Sequence, residues 1–209
     1  MKAKHGELQR YEDRERMAHW MTALLLLAAA VSGLAFFHPA FFFLSNFFGG
    51  GSWTRILHPF LGVATVAVFL FLYLRLRLQN KFTDGDREWR AKMGEMLRGN
   101  KAGMPAVGKY NAGQKMVFWA MSISLAVLMI TGVMFWRPWF APYFPVNVMR
   151  GAVLIHSVAA VVMVLSVIVH VYASIWVQGT IRAMTRGTVS EAWAKKNHAL
   201  WHREMTRGK

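Results

Sequence analysis

The chain has 209 residues, 55% of them hydrophobic and 14% aromatic, with a formal charge of +15 and a pI near 10.8. A mean hydropathy of +0.28 is too high for an ordinary water-soluble domain of this length. A basic excess of this size would suit nucleic acid if it lay on a soluble fold. Here the charges are confined to segments between long apolar runs, which excludes that use and points to a membrane protein.

Glu7, Glu12, Asp13 and Glu15 precede the first apolar run, and no small-x-small site closes it. The N-terminal segment is therefore expected to be retained rather than cleaved as a signal peptide. Met21 to Phe37, Phe60 to Leu74, Val117 to Trp136 and Gly151 to Ile181 carry no Lys, Arg, Asp or Glu. With their flanks, all four reach the roughly 20 residues needed to cross a bilayer. The expected architecture is all-α: a single integral-membrane domain, residues 1–209, forming a four-transmembrane-helix bundle. The spans are placed at 17–37, 55–77, 114–136 and 151–177, with a loop at 78–113 and a tail at 178–209. Within the loop, Trp89, Met93, Met96 and Leu97 recur at helical spacing, as suits a segment lying along a membrane surface.

Of the 25 Lys and Arg residues, only Arg55, Arg137 and Arg150 fall in the first and third connections; the other 22 lie in the termini and the middle loop. The positive-inside rule then puts both termini and the middle loop in the cytoplasm. Trp20, Trp53, Trp119, Trp136, Trp139, Tyr143 and Trp176 fall near the ends of the spans, as an interfacial aromatic belt does. The absence of cysteine rules out disulfides, covalent c-type haem and any iron–sulfur cluster ligated by this chain. Redox chemistry, if present, falls to histidine.

The two halves can be overlaid. An offset of about 99 residues sets Arg16 to Trp20 over Lys115 to Trp119 and Ser32-Gly33 over Thr131-Gly132, and nearly the same offset sets His58 over His156. Short apolar stretches also match by chance.

Of the eight histidines, His5, His38, His198 and His202 lie in polar termini or loops, where solvation is the default reading. His198 and His202 are spaced to share a metal, though an exposed basic tail argues against it. His19, His58, His156 and His170 lie in or at the ends of the spans, where an ionisable group is costly unless paired or functional. His58 and His156 follow Arg55 and Arg150 near the outer face, while His19 and His170 lie toward the cytoplasm. Fourteen helical residues separate His156 from His170, a turn of about 1400° and a rise of about 21 Å. One helix can thus offer one ligand to each pair, and paired neutral imidazoles on facing helices can hold haem iron. Two b haems are expected, with Gly33, Gly62 and Gly132 leaving room for a flat macrocycle.

Arg16 to Trp20 (R-M-A-H-W), Arg55 to Phe60 (R-I-L-H-P-F), Gly108 to Lys115 (G-K-Y-N-A-G-Q-K), Trp136-Arg137-Pro138 and Ala192 to Lys196 (A-W-A-K-K) resemble the cytochrome b, or gamma, subunit of respiratory formate dehydrogenases. The resemblance runs along nearly the whole chain. It implies an outer haem ligated by His58 and His156, an inner haem ligated by His19 and His170, and a quinone site at Asn111, Gly113, Gln114 and His170. It also implies a bacterial inner-membrane location and two partners, an iron–sulfur (beta) subunit and a molybdenum- or tungsten-containing catalytic (alpha) subunit. Electrons would pass from that iron–sulfur subunit to the outer haem, the inner haem and then menaquinone or ubiquinone. Asn111 and Gly113 have a simpler reading as the turn before the third span. Trp139, Tyr143 and Arg150 are candidate partner contacts on the outer face. The alternatives are a di-haem subunit of a nickel-iron hydrogenase or another molybdoenzyme, a histidine-relay transporter or proton channel, and a purely structural anchor.

Overall fold

The computed structural model describes residues 6–100 and 103–207; His5 lies outside them. In chain order, strand β1 (Glu7–Gln9) precedes helix α1 (Asp13–Phe37), and a 3-10 helix (Pro39–Phe48) leads to α2 (Gly51–Leu76). Two short helices follow, α3 (Asp84–Ala91) and α4 (Met93–Leu97), before α5 (Ala112–Met134). A 3-10 turn (Ala141–Tyr143) leads to α6 (Val146–Trp176), and the tail forms α7 (Thr180–Arg186), β2 (Thr188–Ser190), α8 (Glu191–Asn197) and α9 (Ala199–Thr206).

Helices α1, α2, α5 and α6 are long and apolar enough to cross a membrane, and the chain is a multi-pass helical-bundle membrane protein. Leu24, Ile130 and Leu154 are 67, 63 and 66% exposed; such apolar faces suit hydrocarbon rather than water.

The helices start earlier than hydropathy places them because helix starts are set by caps. Glu15 accepts from the Glu12 N–H before α1. Gly49 and Gly50, at φ 85° and 95°, end the 3-10 helix, and the Thr54 hydroxyl bonds the Ser45 and Gly50 carbonyls, so α2 begins at Gly51. Before α5, Asn111 Oδ1 accepts from the Gln114 N–H at 2.9 Å while Gln114 Oε1 accepts from the Asn111 N–H at 3.0 Å. That reciprocal arrangement is a capping box, with Asn as N-cap and Gln three residues on. His58 consequently sits about two turns inside α2 rather than at its start.

The chain divides into two compact units. One, residues 17–73 and 120–168, holds most of the spanning helices. The other contains the described parts of 1–16, 74–119 and 169–209. In the latter, β1 pairs antiparallel with β2, Leu8 opposite Val189. Leu8, Tyr11, Tyr110, Ala183, Val189, Ala194 and Trp201 form its apolar centre. The Asp86 carboxylate accepts from the Thr83 N–H and hydroxyl and from Lys115 Nζ at 2.6 Å, joining α3 to α5. Burial works to raise the Asp86 carboxyl, but the Lys115 ammonium and the Thr83 donors hold it below its ordinary value. Trp89 of α3 lies so close to Gly113 that a Cβ there would come within 3.0 Å of its ring. The apolar spacing seen in the loop thus serves partly to pack on α5.

Candidate haem site

His58 of α2 and His156 of α6 face one another with ring centroids 6.3 Å apart and planes inclined at 71°. A direct hydrogen bond in line between two imidazoles would bring their centres to about 5 Å. Two imidazoles on opposite sides of one metal, at about 2 Å per metal–nitrogen bond, have centres roughly 6.3 Å apart. The observed spacing fits the second arrangement.

The tautomers are set by two hydroxyls. Ser32 Oγ donates to the Ala29 carbonyl at 2.9 Å and lies 2.9 Å from His58 Nδ1. A hydroxyl has one proton, so with that proton on the carbonyl the oxygen accepts from His58 Nδ1–H. Thr131 repeats this: its Oγ1 donates to the Val127 carbonyl at 2.6 Å and accepts from His156 Nδ1–H at 2.9 Å. Both rings therefore carry the proton on Nδ1 and keep the Nε2 lone pair for a metal, the usual outer support of a ligating histidine.

Gly33 and Gly132 complete the two settings. A Cβ on Gly33 would lie 3.1 Å from His58 Cε1, and one on Gly132 would lie 3.2 Å from His156 Cε1. The room at these glycines is taken by the imidazoles rather than left beside a macrocycle, whereas a Cβ at Gly62 would meet nothing within 4 Å. Ser32-Gly33 with His58, and Thr131-Gly132 with His156, are the same device at the overlaid positions of the two halves. Nearby, Phe135 meets the His156 ring edge-on at 5.1 Å, and Phe60 packs against Trp136 at 5.1 Å. Ser32 is fully buried and Thr131 5% exposed, so neither hydroxyl is available to water.

His19 stands on α1 with its ring 5.4 Å from Trp20, and His170 stands on α6. They belong to separate units. Asn111 and Gln114 spend their amide oxygens on capping α5, which leaves their NH2 groups as donors. At Gly113 a Cβ would press on the Trp89 ring at 3.0 Å.

One expectation is corrected. His198, read as a solvated tail residue, is only 3% exposed. Its Nδ1 lies 2.8 Å from the Gly108 carbonyl and its Nε2 lies 3.3 Å from Arg10 Nη2. Both nitrogens are occupied, which leaves none to share a metal with His202. Burial, with the Arg10 charge adding to it, pushes the His198 imidazole down to about 3. Nothing local in the sequence marks this, because Arg10 is 188 residues away. His38 caps the 3-10 helix through Nδ1, accepting from the Ala40 N–H.

A helical membrane protein that sets two tautomer-fixed imidazoles across its interior has the makings of a b-type cytochrome. Residues 10–187 match the prokaryotic cytochrome b561 family, and the chain belongs to that family, so its cofactor is haem b. It is 43% identical over 196 residues to the formate dehydrogenase cytochrome b556(fdo) subunit of Escherichia coli K12, covering 94% of this chain and 92% of that one. Identity to the nitrate-inducible formate dehydrogenase cytochrome b556(Fdn) subunit of the same organism is 40% over 191 residues, covering 91% and 88%. The formate dehydrogenase cytochrome b556 subunit of Haemophilus influenzae is 36% identical over 195 residues, covering 93% and 82%.

Proposed function

We propose that this chain is the membrane-anchoring cytochrome b subunit of a formate dehydrogenase, passing electrons from an iron–sulfur subunit to menaquinone or ubiquinone. The paired setting of His58 and His156 carries the reading, because its centroid spacing and proton placement would leave both Nε2 lone pairs for the iron of a bound haem. Similarity to formate dehydrogenase subunits supplies the partners. Those are an iron–sulfur (beta) subunit and a molybdenum- or tungsten-containing (alpha) subunit. The relay reading fares worse, since both Nδ1–H groups are committed to hydroxyls and the rings stand too far apart for an in-line hydrogen bond.

In this reading two haem b groups are held, the outer by His58 and His156 and the inner by His19 and His170. Bound haem b supplies one-electron exchange between ferric and ferrous iron. The protein's own part is to keep four imidazoles neutral and oriented, and to surround them with hydrocarbon. The quinone is taken by the loop entering α5, where the NH2 groups of Asn111 and Gln114 donate to a quinone oxygen beside His170, and Gly113 lets Trp89 close the wall of that loop. The uneven distribution of Lys and Arg supports an inner-membrane location with both termini cytoplasmic. Quinol formed on that side draws its two protons from the cytoplasm.

Reduced-minus-oxidised absorbance of the purified chain tests the reading. Two haems per chain with b-type bands are expected, and a folded but colourless protein would refute it.

A further inference from the structure

Three consecutive backbone carbonyls just before the α5 capping box are each held by a donor from a distant part of the chain. The Leu200 N–H bonds the Val107 carbonyl at 3.1 Å. His198 Nδ1 bonds the Gly108 carbonyl at 2.8 Å, and Arg10 Nη2 bonds the Lys109 carbonyl at 2.6 Å. The last two donors are themselves joined. Arg10 has no lone pair to offer, so at 3.3 Å it donates to His198 Nε2, which puts the imidazole proton on Nδ1 and aims it at Gly108.

Arg10 is placed from several directions. The Gly187 carbonyl accepts from the Arg10 and Tyr11 N–H groups at 2.8 and 3.1 Å, anchoring its backbone beside the β1–β2 pair. Its guanidinium, on a residue 4% exposed, lies 5.0 to 5.8 Å from the ring centres of Trp201, Trp193, Tyr11 and Tyr110. An aromatic box of this kind holds a cation by its ring faces. The Tyr110 ring belongs to the same stretch of loop, between Lys109 and Asn111.

A helix start needs none of this, because Asn111 and Gln114 cap α5 by themselves. What the three anchored carbonyls add is a fixed position for the chain that carries those two amides. We infer that Arg10 and His198 are positioning residues for quinone reduction: they hold Gly108 and Lys109 so that the NH2 groups of Asn111 and Gln114 keep one place for a quinone oxygen. The inference rests on reading that loop as the quinone site. It gives the N-terminal segment and the tail a shared task, which neither could perform alone.

The test uses the purified complex with its partner subunits, with menadione and a short-tailed ubiquinone as acceptors. Arg10→Lys keeps the charge but loses the second donor arm. His198→Ala loses both bonds, and His198→Asn keeps a donor near the Nδ1 position. KM for the preferred quinone should rise about tenfold in Arg10→Lys and His198→Ala, the order expected for losing one or two hydrogen bonds that fix a loop. His198→Asn should recover most of the loss. The rate at saturating quinone, the haem spectrum and formate oxidation with an artificial dye should stay as in the parent.

Asn111→Ser serves as the reference, since serine keeps the N-cap acceptor and removes the NH2 donor. If Asn111→Ser raises the quinone KM while the Arg10 and His198 variants stay within twofold of the parent, the positioning role is overturned and the quinone site stands. If Asn111→Ser leaves KM unchanged as well, the quinone reading of the loop falls and the positioning role with it. Loss of haem in all three Arg10 and His198 variants overturns the positioning role in favour of a purely structural one.

Discussion

Replacing Thr131 by Val keeps the shape of the side chain and removes only the oxygen. In the parent, that oxygen donates at 2.6 Å to the Val127 carbonyl and accepts at 2.9 Å from His156 Nδ1–H. The Val127 carbonyl belongs to the spanning helix α5, where the helical backbone can still satisfy it. The imidazole N–H loses its hydroxyl partner and is left with the Leu128 carbonyl alone, because Thr131 is 5% exposed and hydrocarbon offers no further acceptor. Losing one buried hydrogen bond while a poorer acceptor remains costs about 0.5 to 1.5 kcal/mol, which corresponds to roughly 2- to 13-fold weaker retention of a haem that needs this ring orientation. Loss of the outer hydrogen bond also makes the imidazole a weaker donor, so the potential of the haem it ligates should rise. Haem stoichiometry after detergent washing, together with an optical redox titration, reads both effects. Thr131→Ser is the control, because serine already fills the equivalent place at Ser32 and keeps the hydroxyl. Parent-like haem retention and an unmoved potential in Thr131→Val, and likewise in Ser32→Ala, would refute the account of how the ligands are held.

Three further outcomes follow from the same structure. His170→Leu should remove one of the two haem signals and abolish quinone reduction, while formate oxidation with an artificial dye persists in the intact complex; parent-like quinone reduction would contradict the placing of the inner haem. His198 is neutral in the fold and pushed to about 3, below the ordinary value near 6.5, so the unfolded chain binds the extra proton first. Its contribution is therefore complete above about pH 6.5 and is lost as pH falls toward 3, by roughly 4 kcal/mol over the whole range. Amide hydrogen exchange of the tail against pH should show that slope, and His198→Asn should flatten it. Asp86→Asn leaves the Lys115 ammonium, 8% exposed, without its carboxylate. That change should cost about 3 kcal/mol and speed proteolytic cutting in the α3 to α4 region.

The four spans and the asymmetry of basic residues were legible from sequence. Each is a property of local composition: hydrocarbon selects apolar runs of a set length whatever the neighbouring chain does. The overlay of Ser32-Gly33 on Thr131-Gly132 was also visible, but its meaning was not. Only packing across helices shows that the hydroxyls take the Nδ1 protons of His58 and His156 and that the glycines make room for those two rings. The helix starts moved because the capping of Asn111 by Gln114 and the turn at Gly49 and Gly50 depend on hydrogen bonds that hydropathy does not count. The largest difference lies around His198. Its solvated appearance in a basic tail gave way to burial against Arg10 and Gly108, 188 and 90 residues away. Composition decides which segments enter the membrane, because the solvent acts on each segment separately. Which polar atoms satisfy one another is decided only when distant segments meet, because a buried donor has to find its acceptor wherever the fold supplies one.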